Sequence, residues 1–366
     1  MPETSPYAHS GVDTHAGDRA VELMKKAVTA SHSPRVMGGL GGFAGLYDAS
    51  FLTSYRRPIL ATSTDGVGTK VAIAQALDKH DTIGFDLVGM VVDDIVVVGA
   101  TPLFMTDYIA CGKVVPERIA AIVEGIALAA TSCGVSLVGG ETAEHPGLLK
   151  PDEYDVAGAA TGVVEADRML DASVVKPGDV VLAMGSSGLH SNGFSLARKV
   201  VADAGWSWNQ VLPEFGREVG LELLEPTTLY TSALVEVFAQ HPGAVHSVSH
   251  VTGGGIAQNL SRVLPTNVAV DVDRSTWSTP VVVNVLCEAG GFDRVAVEDT
   301  WNMGIGMIAV VEKDHLDQVT ATLVQHGHTA WQVGVVRLAT EADLAHSVTS
   351  AKGVEGGAVR LVGSFR

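Results

Sequence analysis

The residue types best suited to chemistry stand at residues 65–70, whose sequence is Asp-Gly-Val-Gly-Thr-Lys. Glycines let backbone N–H groups approach an anion closely, a following helix directs its positive end to the same place, and Lys70 adds a mobile charge. Phosphate is the anion that such a loop fits. Asp65 would repel phosphate unless a divalent cation lay between them, so the stretch indicates a metal–nucleotide complex. The spacing is not that of a P-loop, and a β-turn with a solvated Asp and Lys would explain the same residues.

A predicted strand and a predicted helix flank this loop and would position it. Residues 57–63 carry apolar and β-branched side chains behind a proline stop, which is typical of a strand. Residues 71–77 contain helix-forming side chains and end before a polar Asp-Lys-His run. The sequence therefore predicts a strand–loop–helix unit around the candidate phosphate site.

Two adjacent carboxylates interrupt a nearly all-apolar helix that the sequence predicts over residues 85–99. Asp93 and Asp94 lie there amid valine and isoleucine side chains. A carboxylate that was buried without a partner would cost several kcal/mol. We therefore expect at least one of the two to face a cation or a cleft, with exposure on a solvated edge as the alternative.

Acidic residues also accompany two later predicted strands. Asp107 lies in a strand expected over residues 102–110, and Glu141 lies in a turn expected over residues 139–146, after a strand that ends at Val138. Acids repeated at the ends of strands and helices are what a di- or trinuclear Mg²⁺ site for nucleotide phosphates requires.

Two glycine-rich segments could bring the backbone close to a ligand. Residues 37–43 fit a flexible hinge, a backbone cradle or a lid. Residues 250–256 place three glycines at the start of a predicted helix, where close approach of the backbone to another group, or a plain tight turn, would account for them.

A third loop, residues 185–194, is rich in glycine and polar side chains ahead of a predicted helix. Ser191 and Asn192 are strong N-cap residue types, so capping alone would explain them. Capping does not explain His190. The loop therefore suits a phosphate or another polar ligand.

Composition bounds the classes of protein that the chain can represent. Its 366 residues exceed the size at which a single core usually divides, so two domains are expected. The formal net charge of −17 argues against nucleic acid and anionic membranes as partners, and no segment has the uncharged length of a membrane span. Three cysteines without metal-binding spacing, and an N-terminus unlike a signal sequence, predict a cytoplasmic protein with reduced thiols.

Strands and helices alternate loosely, which predicts an α/β fold of the α+β type. Polar residues before a fresh strand at residues 180–184 mark a boundary, and we expect an N-terminal domain over residues 1–172 and a C-terminal α/β sheet with helices over residues 173–366. Neither half offers a nucleophile–His–acid arrangement. Phosphoryl chemistry through metal binding and positioning fits better than covalent catalysis.

Six segments in this order and with these spacings resemble one known family. They are residues 37–43, 64–70, 79–84, 138–144, 187–193 and 250–255. Together they resemble phosphoribosylformylglycinamidine cyclo-ligase, the aminoimidazole ribonucleotide synthetase family of purine biosynthesis. The similarity runs from Tyr7 to the C-terminal region.

The resemblance implies an ATP-dependent ligase that cyclises formylglycinamidine ribonucleotide to 5-aminoimidazole ribonucleotide and releases ADP and phosphate. ATP would phosphorylate the formamide oxygen, and the amidine nitrogen would then close the ring by expelling phosphate. It also implies a homodimer in which the N-terminal sheets join into a barrel. The N-terminal domain would bind ATP and Mg²⁺, and the C-terminal domain would complete the substrate cleft.

By position, the resemblance also implies roles for individual residues. The metal ligands would be Asp65, Asp94 and Glu141. The residues in contact with ATP phosphates would be Gly66, Val67, Gly68, Thr69 and Lys70. The residues in contact with the ribonucleotide would be His190, Ser191, Asn192, Thr252, Gly253, Gly254 and Gly255. The residues that serve catalysis would be Asp65, Lys70, Asp94 and His190.

The chain departs from the family at Asp93, where Asn is common, so Asp93 would be a solvated neighbour or an extra outer ligand of the metal. Two other classes stay open. The first is another ATP-using enzyme of the same superfamily, such as selenophosphate synthetase, although no cysteine precedes Cys111, or thiamine-phosphate kinase, which would lack the His190 and Thr252 loops in this form. The second is a nucleotide-sensing protein without turnover.

Overall fold

The computed structural model describes residues 14–39 and 41–366. Tyr7, where the family similarity begins, and Leu40 of the first glycine-rich segment lie outside the described residues. The chain has a mixed α/β architecture in two compact units, as the sequence predicts. The first unit runs to Ile95 and continues over Thr101–Glu165, and the second comprises Val96–Ala100 and Ala166–Arg366.

The first unit is built on a four-stranded sheet with the strand order β3-β6-β4-β5. A separate two-stranded ribbon precedes it, formed by β1 (Val36–Met37) and β2 (Leu46–Tyr47). The strands of the main sheet are β3 (Pro58–Gly66), β4 (Thr101–Cys111), β5 (Ser136–Glu144) and β6 (Tyr154–Glu165). β4 and β5 are parallel, whereas β3 and β4 each pair antiparallel with β6.

Helices cover one face of this sheet and leave residues of the other face exposed. The helices of the unit are α1 (Thr14–Ala30), α2 (Val71–Leu77), α3 (Ile83–Val96, whose last residue belongs to the second unit) and α4 (Pro116–Ser132). Leu87 of α3 packs over Gly158 of β6, whose missing side chain leaves room for it. On the opposite face Leu60 is 60% exposed and Tyr108 is 41% exposed.

Small residues let α3 and α4 approach closely. A Cβ on Gly84 would lie 2.1 Å from the carbonyl carbon of Gly125, a distance that no side chain tolerates. α4 begins with a proline at its first turn, where the missing N–H leaves no bond unmade. α2 has the bounds that the sequence predicts, and α3 ends before Gly99, whose φ of +82° breaks the helix.

The structure corrects the predicted turn over residues 139–146. β5 continues through Gly139 and Gly140 to Glu144, because these residues keep parallel pairing with β4 after a register shift at Met105 and Thr106. Glu141 therefore lies within a strand, opposite Tyr108, and not in a turn.

The second unit contains a seven-stranded sheet with the order β10-β12-β7-β13-β11-β15-β14 and a short ribbon of β8 and β9. The strands are β7 (Val180–Gly185), β8 (Val211–Leu212), β9 (Arg217–Glu218), β10 (Val245–His250), β11 (Val268–Asp273), β12 (Ile305–Val311), β13 (Ala330–Leu338), β14 (Val348–Ala351) and β15 (Val354–Val362). The helices are α5 (Phe194–Asp203), α6 (Val219–Leu223), α7 (Thr231–Gln240), α8 (Gly255–Ser261), α9 (Val281–Gly290), α10 (Leu316–Gln325) and α11 (Glu341–His346).

The core of the second unit forms around β12, all of whose residues are buried. Apolar side chains of α7 and α10, such as Leu234 and Leu323, pack against Met307 and Ala309 of this strand. A strand that is apolar on both faces needs cover on both, and this explains its continuous run of hydrophobic residues. Among the residues that the structure describes, no helix has the length and apolarity to cross a membrane.

Candidate active site

β3 continues through Asp65 to Gly66, and residues 67–70 join it to α2, so the predicted strand–loop–helix unit is confirmed with a shorter loop. Asp65 is exposed at the end of β3, and its Oδ1 accepts a hydrogen bond of 2.7 Å from the N–H of Gly66. The N–H of Val67 donates to Val156 O at 3.0 Å, which fixes the loop to β6. Gly68 has a φ of +73°, and no atom lies within 4 Å of the position that its Cβ would take. The backbone around Gly68 therefore stays accessible to a ligand.

Lys70 differs from the mobile charge that the sequence predicts. Its side chain is fully buried, and its Nζ donates to Oδ1 of the equally buried Asp86 at 2.7 Å. A buried ammonium needs an acidic partner because removal from water costs several kcal/mol. In this conformation the side chain supports the base of the loop, and its contact with phosphate stays a prediction.

Asp93 and Asp94 take different environments on α3. Asp93 is fully buried, whereas Asp94 is half-buried. Asp86 lies on the same helix, so α3 carries three carboxylates within an otherwise apolar segment. Only the half-buried Asp94 has partial access to solvent among the two acids that the sequence singled out.

The register of the sheet brings acidic residues of different strands to one row. Asp65 of β3 pairs with Gly158, which pairs with Asp107 of β4, and Asp107 pairs with Gly140 of β5. Glu141 occupies the next position along β5. Because neighbouring strands lie roughly 5 Å apart, Asp65 and Asp107 are separated by about 10 Å across the sheet.

Asp107 is the buried acid of this group. A Cβ on Gly140 would lie 2.1 Å from Asp107 Oδ1, so the glycine makes room for this carboxyl group. The side chain is only 8% exposed. Burial raises the pKa of Asp107 to about 7, and the negative charge of Glu141 adds to the effect.

A cavity of about 600 Å³ lies in the first unit beside Asp107 and Glu141. Its wall includes residues of α1, β4 and β5 and the glycines Gly39, Gly41, Gly42 and Gly45. The glycine-rich segment predicted to act as a hinge, cradle or lid thus lines a cavity next to two acids.

The three predicted metal ligands are carboxylates on β3, α3 and β5. Carboxylate oxygens are the donors that Mg²⁺ prefers, so Asp65, Asp94 and Glu141 suit the ion chemically. Within residues 14–39 and 41–366, however, no group of three or more His, Cys, Asp or Glu side chains is arranged to hold a metal. Mg²⁺ usually keeps waters and phosphate oxygens and takes one or two carboxylates, so the donor set fits a metal that arrives with a nucleotide.

In the second unit, His190 is buried beneath its loop. It is 2% exposed, has a φ of +59° and lies 6.1 Å from the Tyr230 ring, centroid to centroid. Its Nε2 accepts a hydrogen bond of 3.3 Å from the N–H of Ser187. Tyr230, fully buried, donates its hydroxyl hydrogen to Gly185 O at 2.7 Å. His190 therefore shapes the loop as well as standing within it.

Gly193, and not Ser191 or Asn192, occupies the N-cap position of α5, which corrects the capping alternative. The helix starts at Phe194 with Gly193 at the N-cap, where φ is +74°. Asn192 Oδ1 instead accepts a hydrogen bond of 3.1 Å from the N–H of Gly253. The structure thus joins the two loops that the sequence assigned to the ribonucleotide.

The three glycines before α8 contact other parts of the chain. A Cβ on Gly255 would lie 1.6 Å from the carbonyl oxygen of Glu298, and Gly254 donates its N–H to Asp299 O at 3.0 Å. Asn259, only 2% exposed, donates to Gly255 O at 2.8 Å. The close backbone approach predicted here is confirmed, and in this structure the group approached is the chain's own backbone.

Sequence reasoning did not single out Tyr230, Asn259, Trp301 or Asn302, all of which support these loops. None belongs to a glycine-rich segment. The one signal that marks two of them is their place just before the apolar strand β12.

Comparison with known proteins first defines the class. Residues 48–164 match the family model described as AIR synthase related protein, N-terminal domain, and residues 176–344 match the corresponding C-terminal domain. The chain is 45% identical over 334 residues to phosphoribosylformylglycinamidine cyclo-ligase of Shouchella clausii, which covers 91% of this chain and 96% of the relative. It is 44% identical over 332 residues to the cyclo-ligase of Geobacillus sp. strain WCH70, with 90% and 95% covered. The chain belongs to the phosphoribosylformylglycinamidine cyclo-ligase family.

Solved structures support the fold. The hydrogenase maturation protein HypE of E. coli superposes with a TM-score of 0.63 at 19% identity, with 96% of this chain and 94% of that chain covered. Thiamine-monophosphate kinase of Stenotrophomonas maltophilia superposes with a TM-score of 0.62 at 16% identity, with 93% and 95% covered. At these identities the likeness extends to architecture alone.

Proposed function

We propose that the protein catalyses the ATP-dependent cyclisation of formylglycinamidine ribonucleotide to 5-aminoimidazole ribonucleotide, with release of ADP and phosphate, in purine biosynthesis. The observation that carries the proposal is the identity of 44–45% with two cyclo-ligases over about nine-tenths of the chain. Both predicted ligand regions fall within the matched family domains.

In the reaction, ATP transfers its terminal phosphoryl group to the formamide oxygen. The amidine nitrogen then attacks the activated carbon, and the C–O bond breaks with departure of phosphate. Positioning and charge stabilisation supply most of the acceleration in such phosphoryl chemistry. Both substrates are anions, and the chain has a formal net charge of −17. Local binding groups must therefore offset the repulsion between the protein and its substrates.

The residues proposed to bind the nucleotide lie in the first unit. Gly66, Val67, Gly68 and Thr69 would contact the phosphates, and among them Gly68 is exposed with no atom within 4 Å of the position of its Cβ. The cavity beside Asp107 offers space next to the glycine-rich segment. Asp65, Asp94 and Glu141 would hold Mg²⁺. When bound, the ion would neutralise phosphate charge. Lys70 would support phosphate binding by holding the loop in place through its buried ion pair with Asp86.

The residues proposed to bind the ribonucleotide lie in the second unit. The loop with His190, Ser191 and Asn192 and the loop with Thr252 to Gly255 are joined by the bond from Gly253 N–H to Asn192 Oδ1. This contact supports the assignment of both loops to one ligand.

We also propose a cytoplasmic homodimer in which the N-terminal sheets join. The exposed sheet face with Leu60 and Tyr108 supports this, because an apolar sheet surface in water invites a partner. The buried free thiols Cys111, Cys133 and Cys287 suit a reducing compartment. Light scattering at micromolar concentration should give twice 38.0 kDa, and a monomer mass would reject the dimer.

The decisive test of function is a coupled assay of ADP release with formylglycinamidine ribonucleotide, ATP and Mg²⁺. Steady release that depends on the amidine substrate, with formation of the aminoimidazole product, is the expected result. ADP release with thiamine monophosphate instead would identify another member of the superfamily. Nucleotide binding without ADP release would identify a sensor.

A further inference from the structure

Both loops proposed for the ribonucleotide pack against one segment, residues 298–304, which we name the bracing segment. It lies directly before β12 and contains no glycine-rich or acid–base motif that sequence reasoning singled out. Its contacts with the two loops are all within the second unit.

The first loop is held through two side chains of the bracing segment. Asn302 Nδ2 donates to Gly188 O at 2.8 Å, and Trp301 Nε1 donates to Gly193 O at 3.2 Å. Both side chains are buried, at 3% and 0% exposure. A Cβ on Gly193 would lie 2.3 Å from the Trp301 ring, so the two ends of the loop are fixed against the same segment.

The second loop is held through the backbone of the bracing segment. The N–H of Gly254 donates to Asp299 O at 3.0 Å, and Gly255 packs directly on the carbonyl oxygen of Glu298. One segment thus contacts both loops. The two loops also contact each other directly, through the bond from Gly253 N–H to Asn192 Oδ1.

The bracing segment is itself fixed in shape. Met303 has a φ of +54°, which non-glycine residues rarely adopt and which persists only when the surroundings impose it. Asn302 Oδ1 accepts from the N–H of Gly304 at 2.9 Å, and Trp277 Nε1 donates to Met303 O at 2.9 Å. The segment therefore acts as a rigid support.

From this arrangement we infer that Asn302 and Trp301 are positioning residues of the ribonucleotide site, which set the spacing of the two loops before the ligand binds. The inference rests on the proposed function, since that assigns the loops to the ribonucleotide. A site whose spacing is set in advance loses less free energy on binding. Loss of either side chain should weaken ribonucleotide binding and leave ATP binding intact.

The experiment compares Asn302→Ala and Trp301→Phe with the wild-type protein in the ADP-release assay, varying each substrate in turn. Trp301→Phe keeps an aromatic ring and removes one N–H donor. We expect the KM for formylglycinamidine ribonucleotide to rise about 10-fold in Asn302→Ala and about 3-fold in Trp301→Phe, with the KM for ATP within about 2-fold. Ser261→Ala is the matched control, because it removes a buried side-chain bond of 2.8 Å to Gly357 O at the C-terminal end of α8 and leaves the bonds of the bracing segment in place.

The outcomes separate the inference from the function on which it rests. If wild-type protein shows no substrate-dependent ADP release, the proposed function fails first. If wild type is active and both variants keep the wild-type KM for the ribonucleotide, the positioning role is wrong. Equal rises in both KM values, matched by Ser261→Ala and by a lower melting temperature, would show a general structural role and would also reject it. If Asn302→Ala fails to fold, Trp301→Phe decides alone.

Discussion

The loops of the two units use similar glycine-rich sequences in opposite ways. Around Gly68 in the first unit the backbone is exposed, and nothing lies within 4 Å of the missing side chain. At Gly254 and Gly255 in the second unit the N–H groups are donated within the chain. The Gln258 side chain fills the space beside Gly254, and the backbone of residues 298–299 fills the space beside Gly255. Glycine permits a positive φ in both loops, but close packing excludes a side chain only in the loop of the second unit.

This difference indicates that the two loops bind their ligands in different ways. An exposed loop leaves space for a phosphate and its metal, and the ligand completes the structure. A loop whose N–H groups are already hydrogen-bonded within the chain is rigid, so the shape of the site and its side chains are fixed before the ligand binds. The first arrangement is sensitive to charge, and the second is sensitive to volume.

The largest contrast should come from adding one methyl group to each loop. Gly255→Ala places a Cβ against the Glu298 carbonyl at a φ of +67°, so the free energy of unfolding should fall by about 3 kcal/mol or more. Gly68→Ala meets open space and carries only the cost of positive φ, about 1 kcal/mol. Urea unfolding of both variants measures the difference. Equal losses would contradict the contrast.

The next effect tests charge in the open loop. Asp65→Asn keeps the shape and removes the charge, so it should lower turnover by at least ~100-fold and weaken Mg²⁺-dependent ATP binding. Because Asp65 is exposed, stability should change little. Steady-state kinetics and ATP titration with and without Mg²⁺ make the test. Normal turnover in a folded variant would return residues 65–70 to a plain turn.

These two loops also show what sequence reasoning can and cannot predict. The unit from β3 to α2 is contiguous, so apolar patterning and a glycine loop predict the order strand, loop and helix, although β3 extends to Gly66 and includes Asp65. Burial of Lys70 depends on Asp86, which lies sixteen positions away on another helix. A side chain's environment is a tertiary property, and local pattern does not contain it.

The same limit explains the corrections elsewhere. Gly139 and Gly140 resemble a turn in sequence because glycine is rare in strands, but pairing with the neighbouring strand β4 keeps their backbone extended. The Asp107 carboxyl group leaves no room for a side chain at Gly140. Asn192 reads as an N-cap, but its partner is Gly253, far along the chain. The bracing segment was missed altogether since its function depends only on such distant contacts.

A smaller effect is expected from His190→Ala in the loop of residues 185–194. If His190 helps to hold the ribonucleotide, the variant should lose about 10-fold in kcat/KM for that substrate with ATP binding nearly intact, because the ligands occupy different loops. Some loss of stability should accompany it, since the ring is 2% exposed and accepts a hydrogen bond from Ser187. An unchanged kcat/KM would leave His190 as a structural residue of its loop.

The smallest effect concerns pH and tests whether the first unit tolerates a buried acid. Burial raises the pKa of Asp107 from 3.8 to about 7, so between these values the folded protein binds a proton that the unfolded chain releases. The linkage sign follows: stability contributed by this group is present at low pH and is lost as pH rises towards 7. Between pH 6 and pH 7 the loss should be about 1 kcal/mol.

Other groups oppose this slope, so the comparison must be made between variants. Burial lowers the pKa of His80, with the hydrogen bond to Asp78 acting against it, and a lowered histidine pKa makes stability rise with pH. Asp107→Asn removes the titrating carboxyl and leaves His80 in place. The difference in free energy of unfolding between this variant and wild type should therefore shift in favour of the variant as pH rises from 6 to 7. Parallel stability curves would show that Asp107 titrates near its ordinary pKa, and that the sheet beside Gly140 and Glu141 is better hydrated than its geometry indicates.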